Sequence, residues 1–332
     1  MQRQPSSQTN KYSHPDKDSM LPLVIVNPRS ASGATRERWS DIASDIRTHF
    51  GPFNVAFTKS RGDGINLARR GVENGRQFII ACGGDGTINE VANGILETGE
   101  DVELGVLPSG TGGDFRRSIN MPLGAREAAQ TLKVGNTKRI DVGRVTFQDH
   151  EGRELSRYFL NVSSVGLAAS IIERVKSSSH ANWLPIQSLR GKASFALSTL
   201  QEVFGIEYAT VRVRIDDSEE KSLNTLNFCV ANARYFGGGM LIAPEAKIDD
   251  GYFDVINIGD LGTLKILLNA HKLYWGTHLE LPEVRTRLAR RIELRAADPD
   301  CKIHLETDGE LPGRLPAVYE IVPKALSLRV PA

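Results

Sequence analysis

The sequence predicts an α/β domain followed by a β domain. The first is a doubly wound unit with a parallel sheet covered on both faces by helices; the second is an antiparallel β-sandwich. Three observations carry this expectation. Up to Asp141, apolar runs of strand length alternate with stretches of helical period. Beyond Gly143 the apolar residues recur every second position. At 332 residues, the chain is long enough for two hydrophobic cores. The expected boundaries are 21–142 for the α/β domain and 143–318 for the β-rich domain. The segment 319–332 is expected to be able to pack back onto the first domain. Residues 1–20 are polar and aperiodic and lack the apolar centre of a signal peptide, so a disordered tail is expected.

Each element has a local reason. Leu23-Val24-Ile25-Val26 reads as a buried strand ended by Asn27-Pro28. Trp39, Ile42, Ala43, Ile46 and Phe50 then fall on one face of a helix. Val55-Ala56-Phe57 is a second strand, and Ile65, Leu67, Ala68 and Val72 mark a second helix. Phe78 to Ala81 and Leu104 to Leu107 are the third and fourth strands. Strands that alternate with helices in this way pair in parallel through right-handed crossovers, and ligands bind beyond their carboxyl ends. Asn27, Thr58, Gly83 to Thr87 and Pro108 to Asp114 follow such ends and should converge on one crevice. In the second half Val211, Val213 and Ile215 alternate with arginines, and Leu226, Phe228 and Val230 continue the pattern. So do Ile292 and Leu294, then Ile303, Leu305 and Thr307. Leu189 to Phe204 is the exception, with a helical spacing of apolar residues that packs in the core or forms an interfacial lid.

Composition excludes several classes. Lys and Arg number 41 against 40 Asp and Glu, so no global positive field exists to attract nucleic acid. Cys82, Cys229 and Cys301 are far apart and lack metal-ligand spacing, so they read as reduced thiols of a cytosolic protein. No run approaches the ~18 uncharged apolar residues of a spanning helix. The best candidate, Ile256 to Trp275, is interrupted by Asp260, Lys265, His271 and Lys272. The expected localisation is therefore cytoplasmic, at most peripheral to a membrane.

The chemistry concentrates in Gly83-Gly84-Asp85-Gly86-Thr87-Ile88-Asn89-Glu90, between a strand and a helix start. Glycines let the backbone approach an anion, and the free N–H groups of the helix start favour phosphate. Asp85 would repel that phosphate unless a cation lay between them, which points to a metal–nucleotide complex. Thr87 with Glu90 also reads as a capping box, and the two roles are compatible. Pro108-Ser109-Gly110-Thr111-Gly112-Gly113-Asp114 repeats the logic after the next strand. Asp141 is a third acid at the domain junction, readable equally as a turn aspartate. Asp308-Gly309 reads equally as a hairpin turn and as a catalytic acid. Arg285, Arg287, Arg290, Arg291 and Arg295 form a basic cluster that is either a solvated face or an attraction for anionic headgroups.

These motifs resemble the diacylglycerol kinase catalytic-domain family of lipid kinases, and the soluble bacterial members in particular. The glycine loop is shared with the phosphofructokinase and NAD kinase superfamily. The resemblance runs from Leu21 through Val26-Asn27-Pro28, Thr58 with Gly62-Asp63, the Gly83–Val91 loop and Gly110-Thr111 with Asp114. It continues through Asp141, Phe159-Leu160-Asn161-Val162 with Gly166, Gly237-Gly238-Gly239, Asp249-Asp250-Gly251 and Asp308-Gly309-Glu310.

The resemblance implies an NAD kinase-like nucleotide domain and an ATP- and magnesium-dependent kinase acting on diacylglycerol or a similar lipid alcohol at the membrane surface. ATP would be held by Asn27, Thr58, Gly84, Asp85, Gly86, Thr87, Ile88, Asn89, Glu90 and Thr111. The catalytic magnesium would fall to Asp85, Asp114 and Asp141, and the general base would be Asp308. A structural magnesium would be held by Asp250 with the backbone carbonyls of Lys247 and Tyr252. Gly113 stands where the family usually has asparagine, which removes an amide from the nucleotide pocket. A homodimer is compatible with the sequence. An NAD kinase-like phosphotransferase and a catalytically silent nucleotide-binding regulator are the competing readings.

Overall fold

The computed structural model describes residues 21–110, 113–177 and 208–332. The expected tail, Thr111 and the stretch Trp183–Phe204 lie outside the described residues. The first half alternates as its periodicity dictates: β1 (Leu23–Val26), α1 (Ala34–Glu37), α2 (Trp39–His49), β2 (Asn54–Phe57), α3 (Asp63–Glu73), β3 (Phe78–Gly83), α4 (Asp85–Leu96), β4 (Glu103–Pro108), α5 (Asp114–Ser118) and α6 (Ala125–Val134). β1 pairs in parallel with β2 and β3, and β3 with β4. Ile42 and Ile46 of α2 are buried, as are Ala128 and Leu132 of α6, and these two helices pack together. α3 packs on α4, with Ala68 and Val72 meeting the apolar face of Ile88, Val91 and Ile95.

The second half is β-rich: β5 (Asn136–Gln148), β6 (Glu154–Phe159), β7 (Val162–Gly166), β8 (Ala209–Ile215), β9 (Lys221–Thr225), β10 (Asn227–Ala231), β11 (Phe253–Ile258), β12 (Val284–Ala289), β13 (Arg291–Ala296), β14 (His304–Thr307) and β15 (Glu310–Val330). Among the described residues three α-helices interrupt it: α7 (Leu167–Ser177), α8 (Thr263–Asn269) and α9 (Lys272–Trp275). One sheet face runs β12-β11-β10-β7-β14-β15, and β8, β9 and β13 extend it through β15. Period-two burial fills the space between with Phe159, Phe228, Phe253, Val255, Leu294, Leu305 and Tyr319. Phe159 stacks on Phe253 at 5.6 Å and meets Tyr319 edge-on at 6.2 Å.

The halves share a spine. β5 and β15 pair antiparallel from Arg314↔Gln148 to Val330↔Asn136, with register shifts at Arg314/Ala317 and Val322/Leu326. Beyond the second shift β15 also lies parallel to β4, Ser327 opposite Glu103 and Leu328 opposite Leu104. The last strand of the chain is therefore also a strand of the first sheet.

Candidate active site

The carboxyl ends of β1, β2, β3 and β4 open onto a cavity of about 920 Å³ that continues into the second half. At one end are Asn27, Thr58, Gly84, Asp85, Gly86, Thr87, Glu90, Gly110, Asp114 and Asp308. At the other end the walls are apolar, with Leu167 and Ile171 of α7, Ile258 of β11, and Ile266 and Leu273 of the α8–α9 segment.

The glycine-loop end is shaped by close loop packing. A Cβ on Gly110 would stand 2.5 Å from the Gly84 Cα, so the loops after β3 and β4 come this close because Gly110 lacks a side chain. Asn27 donates from Nδ2 to Thr87 Oγ1 at 3.1 Å, which ties the end of β1 to the start of α4. Glu90 accepts the backbone N–H groups of Gly62 (2.8 Å) and Gly64 (2.9 Å), which sets the start of α3 against α4. Its carboxylate thus fixes a loop at the cavity wall.

Asp85 and Asp114 stand together. Asp85 accepts N–H groups from Asp114 and Phe115, both at 3.1 Å, and so caps α5. Asp114 accepts from Gly238 N at 2.8 Å and pairs with Arg117 at 2.9 Å. Burial, with the nearby Asp85 charge adding to it, raises the Asp114 carboxyl above its usual range. Gly113 precedes it at φ +67°, ψ 40°, a left-handed conformation that glycine and asparagine both favour. The glycine found in place of the family's usual asparagine therefore keeps the backbone path and loses only the amide.

Asp308 enters from the opposite wall on the β14–β15 hairpin. With Gly309 it forms a turn with two positive φ angles, +47° and +83°. Such a turn matches the twist of the flanking strands. Its Oδ1 accepts from Asn161 N (2.9 Å) and Val162 N (3.2 Å); its Oδ2 accepts from Leu160 N and Asn89 Nδ2, both at 2.8 Å. Burial nonetheless pushes the carboxyl up to about 6, against the lowering effect of these donors and with a small further push from Asp85. The hairpin turn expected of Asp308-Gly309 is thus present, and it puts the carboxylate at the cavity wall.

The remaining expected residues fall elsewhere. Ile88 is core, with 1% of its surface exposed. Asn89 holds Asp308 and the Tyr158 carbonyl and does not line the cavity. Asp141 is fully buried away from the cavity lining. Its two oxygens accept Lys324 N (2.7 Å) and Gly251 N (2.6 Å), so the structure does not bring it to Asp85 and Asp114. Lys247 and Asp250 are exposed and Tyr252 half-buried on the loop before β11, where Asp250 accepts from Tyr252 N at 3.1 Å. Asp254 lies beside them; burial, helped by Asp250 and Glu245, pushes its carboxyl up to about 6. Among the described residues no three acid, histidine or cysteine side chains converge to hold a metal by themselves.

Three lining cations carried no sequence signal. Arg29, Lys59 and Arg61 place cations at the glycine-loop end, and Arg61 pairs with Glu310 across the cleft at 2.6 Å. Single cations in turns have no periodicity to mark them. Asn161, at 5% exposure, lines the cavity with its Oδ1 lacking a hydrogen-bond partner.

Known proteins match this arrangement over nearly the whole chain. Residues 22–145 match the diacylglycerol kinase catalytic domain, and residues 163–330 match the YegS C-terminal NAD kinase beta sandwich-like domain. A diacylglycerol kinase of Staphylococcus saprophyticus is 27% identical over 301 residues, covering 89% of this chain and 90% of that one. A diacylglycerol kinase of Staphylococcus epidermidis is also 27% identical, covering 89% and 87%. A crystal structure of a diacylglycerol kinase from Bacillus anthracis shares the fold at 21% identity, with a TM-score of 0.67 and coverage of 95% and 98%. A second solved structure from that organism gives a TM-score of 0.72 at 22% identity, covering 95% and 98%. With its glycine loops, its hairpin aspartate and both domains matched in order, the chain belongs to the diacylglycerol kinase catalytic-domain family and is a kinase.

Proposed function

We propose that the protein transfers the γ-phosphoryl group of magnesium-bound ATP to a hydroxyl of diacylglycerol or a similar lipid alcohol. It would act in the cytoplasm, meeting its substrate at the inner face of the membrane. The observation that carries this reading is the continuity of one cavity from paired carboxylates and glycine loops to an apolar chamber. A dinucleotide acceptor has no use for such apolar walls, which sets the NAD kinase-like reading aside. A silent regulator has no need of a buried, raised aspartate.

The residues fit the implied groups. The triphosphate would lie on the N–H groups of Gly84 to Thr87 at the start of α4, with Arg29, Lys59 and Arg61 near its charge. Asp85 and Asp114 would hold magnesium, because two clustered carboxylates are relieved by a divalent ion that keeps phosphate oxygens and waters as its other ligands. When bound, that ion would neutralise charge developing on the phosphates. Asp141, which sits apart, would instead tether the 247–251 loop to β15. The structural magnesium on Asp250 and the Lys247 and Tyr252 carbonyls has in its favour the neighbouring Asp254, whose carboxyl is raised by burial and by the charges of Asp250 and Glu245.

The transfer step then belongs to Asp308. The lipid hydroxyl oxygen attacks the γ-phosphorus, its proton passes to the Asp308 carboxylate, and the bond to the ADP oxygen breaks. A carboxyl pushed up to about 6 is a stronger base than an ordinary aspartate yet stays mostly ionised near neutral pH. Four N–H donors hold it in place, so it needs no reorganisation as the proton arrives. The test is incubation of purified protein with labelled ATP and a total lipid extract, resolved by thin-layer chromatography. Label in one lipid species supports the reading; label in added NAD, or in no product, overturns it.

A further inference from the structure

The α8–α9 segment, from Thr263 to Trp275, is apolar on two sides. Its inner side closes the lipid chamber with Ile266, Ala270 and Leu273. Its outer side shows Leu264 at 71% exposure, Leu268 at 64% and Trp275 at 76%, with no described element packed over them. Water-facing leucines and a tryptophan clustered over two turns are costly in a soluble protein and mark an interaction site. We propose that this segment is the membrane-docking element, and that it inserts Leu264, Leu268 and Trp275 into a bilayer of anionic phospholipid. The inference rests on the lipid-kinase reading and gives it a point of contact.

Charge and continuity select a bilayer as the occupant. Between Gly262 and Gly276 there is no acid, while Lys265, His271 and Lys272 are basic. Lys265 pairs with Glu283, while His271 is exposed and Lys272 half-buried. On the neighbouring edge strand β12, Arg285 and Arg287 are exposed on the sheet face opposite the one that α8 and α9 cover, and have no ion-pair partner among the described residues. The other three arginines of the basic cluster are engaged: Arg291 with Glu293 and Glu320, Arg295 with Glu220, and Arg290 with the Tyr252 hydroxyl. The nearby acids Asp260 and Glu280 fall outside the apolar span. A short apolar helix pair flanked by unpaired cations is the pattern of an element lying in the headgroup layer, with tryptophan at its depth. The same two helices wall the chamber, so a lipid could pass from the leaflet to the cavity without crossing water.

The experiment is co-flotation of the full chain with vesicles of phosphatidylcholine alone and of phosphatidylcholine with phosphatidylglycerol. It would compare the wild type with the Leu264→Glu/Leu268→Glu and Arg285→Glu/Arg287→Glu variants. Neither pair lines the cavity, so both variants should keep wild-type turnover on lipid presented in detergent micelles. The leucine variant should lose at least tenfold in binding to anionic vesicles. The arginine variant should lose binding only where phosphatidylglycerol is present, and high salt should mimic it. Wild-type binding by the leucine variant, or absence of binding by the wild type, overturns the proposal. A concentration-dependent dimer that the leucine substitutions abolish while vesicle binding persists also overturns it, since a second copy would then be the occupant. Micellar turnover without vesicle binding defeats the docking site alone, whereas vesicle binding without lipid phosphorylation defeats the kinase reading alone.

Discussion

Asp308 shows how one side chain meets conflicting demands. Its positive φ and the glycine after it build the hairpin, and the same geometry carries the carboxylate to the cavity wall. Replacement by asparagine keeps the size but removes the proton acceptor. Asp308→Asn should therefore lower kcat by about 10²–10⁴-fold, with binding of a non-hydrolysable ATP analogue nearly unchanged. In the wild type the acid limb of kcat/KM should fall near pH 6, where the carboxyl takes up its proton. The linkage to stability runs the same way. The folded value, about 6, lies above the ordinary 3.8, so the folded state binds the proton more tightly. The cost of the buried charge, about 3 kcal/mol, is fully present above the folded value and is relieved as pH falls toward the unfolded one. In Asp308→Asn this pH-linked gain should vanish from thermal unfolding curves measured between the two values. The loop glycines separate packing from binding. Gly86 has no protein atom within 4 Å of an added Cβ, so Gly86→Ala should leave the melting temperature unchanged, and any rise in KM for ATP would report the ligand itself. The Cβ of Gly110→Ala would stand 2.5 Å from the Gly84 Cα and must push the two backbones apart, so this change should reduce both stability and nucleotide affinity.

At the scale of elements, the buried strands and amphipathic helices of the first half were legible because each has its own period. Ile42 and Ile46, or Val24 to Val26, announce which face is inward whatever the rest of the chain does. β15 was not legible as one strand. Gly313, Pro316 and Pro323 break its pattern, and the structure absorbs them in two register shifts that no local signal marks. α8 and α9 were missed for a related reason: they are too short, and too apolar on both sides, to show a helical stripe. The cavity residues divide likewise. Asp85, Asp114 and Asp308 sit in glycine motifs, whereas Arg29 and Lys59 become site residues only through tertiary placement. Asp141 is the instructive case, a motif acid whose carboxylate is spent on backbone N–H groups of two distant segments. Asp141→Ala orphans both donors in a buried place. It should lower stability by about 2–5 kcal/mol while leaving kcat near wild type at temperatures below unfolding. Calorimetry and turnover measured on the same preparation would check this.

In the whole molecule, two cores hang on the β5–β15 pair. Arg329 reinforces the junction by donating from Nε to Glu103 at 2.6 Å and from Nη1 to the Leu132 carbonyl at 2.8 Å. Neither half can melt without stripping a strand from the other. Thermal unfolding should therefore be a single calorimetric transition, and Arg329→Met should shift it as a whole; two separated transitions would show that the halves are independent.

The partners Arg329 and Glu103 are 226 residues apart. A ribosome has therefore made β15 and all that lies between before β4 can acquire its neighbour. Until then the nascent chain carries an open sheet edge beside its glycine loops, an invitation to pairing with the wrong strand that chaperones must cover. The glycine-loop crevice cannot reach its finished form before β15 leaves the ribosome, so catalytic competence waits for that strand.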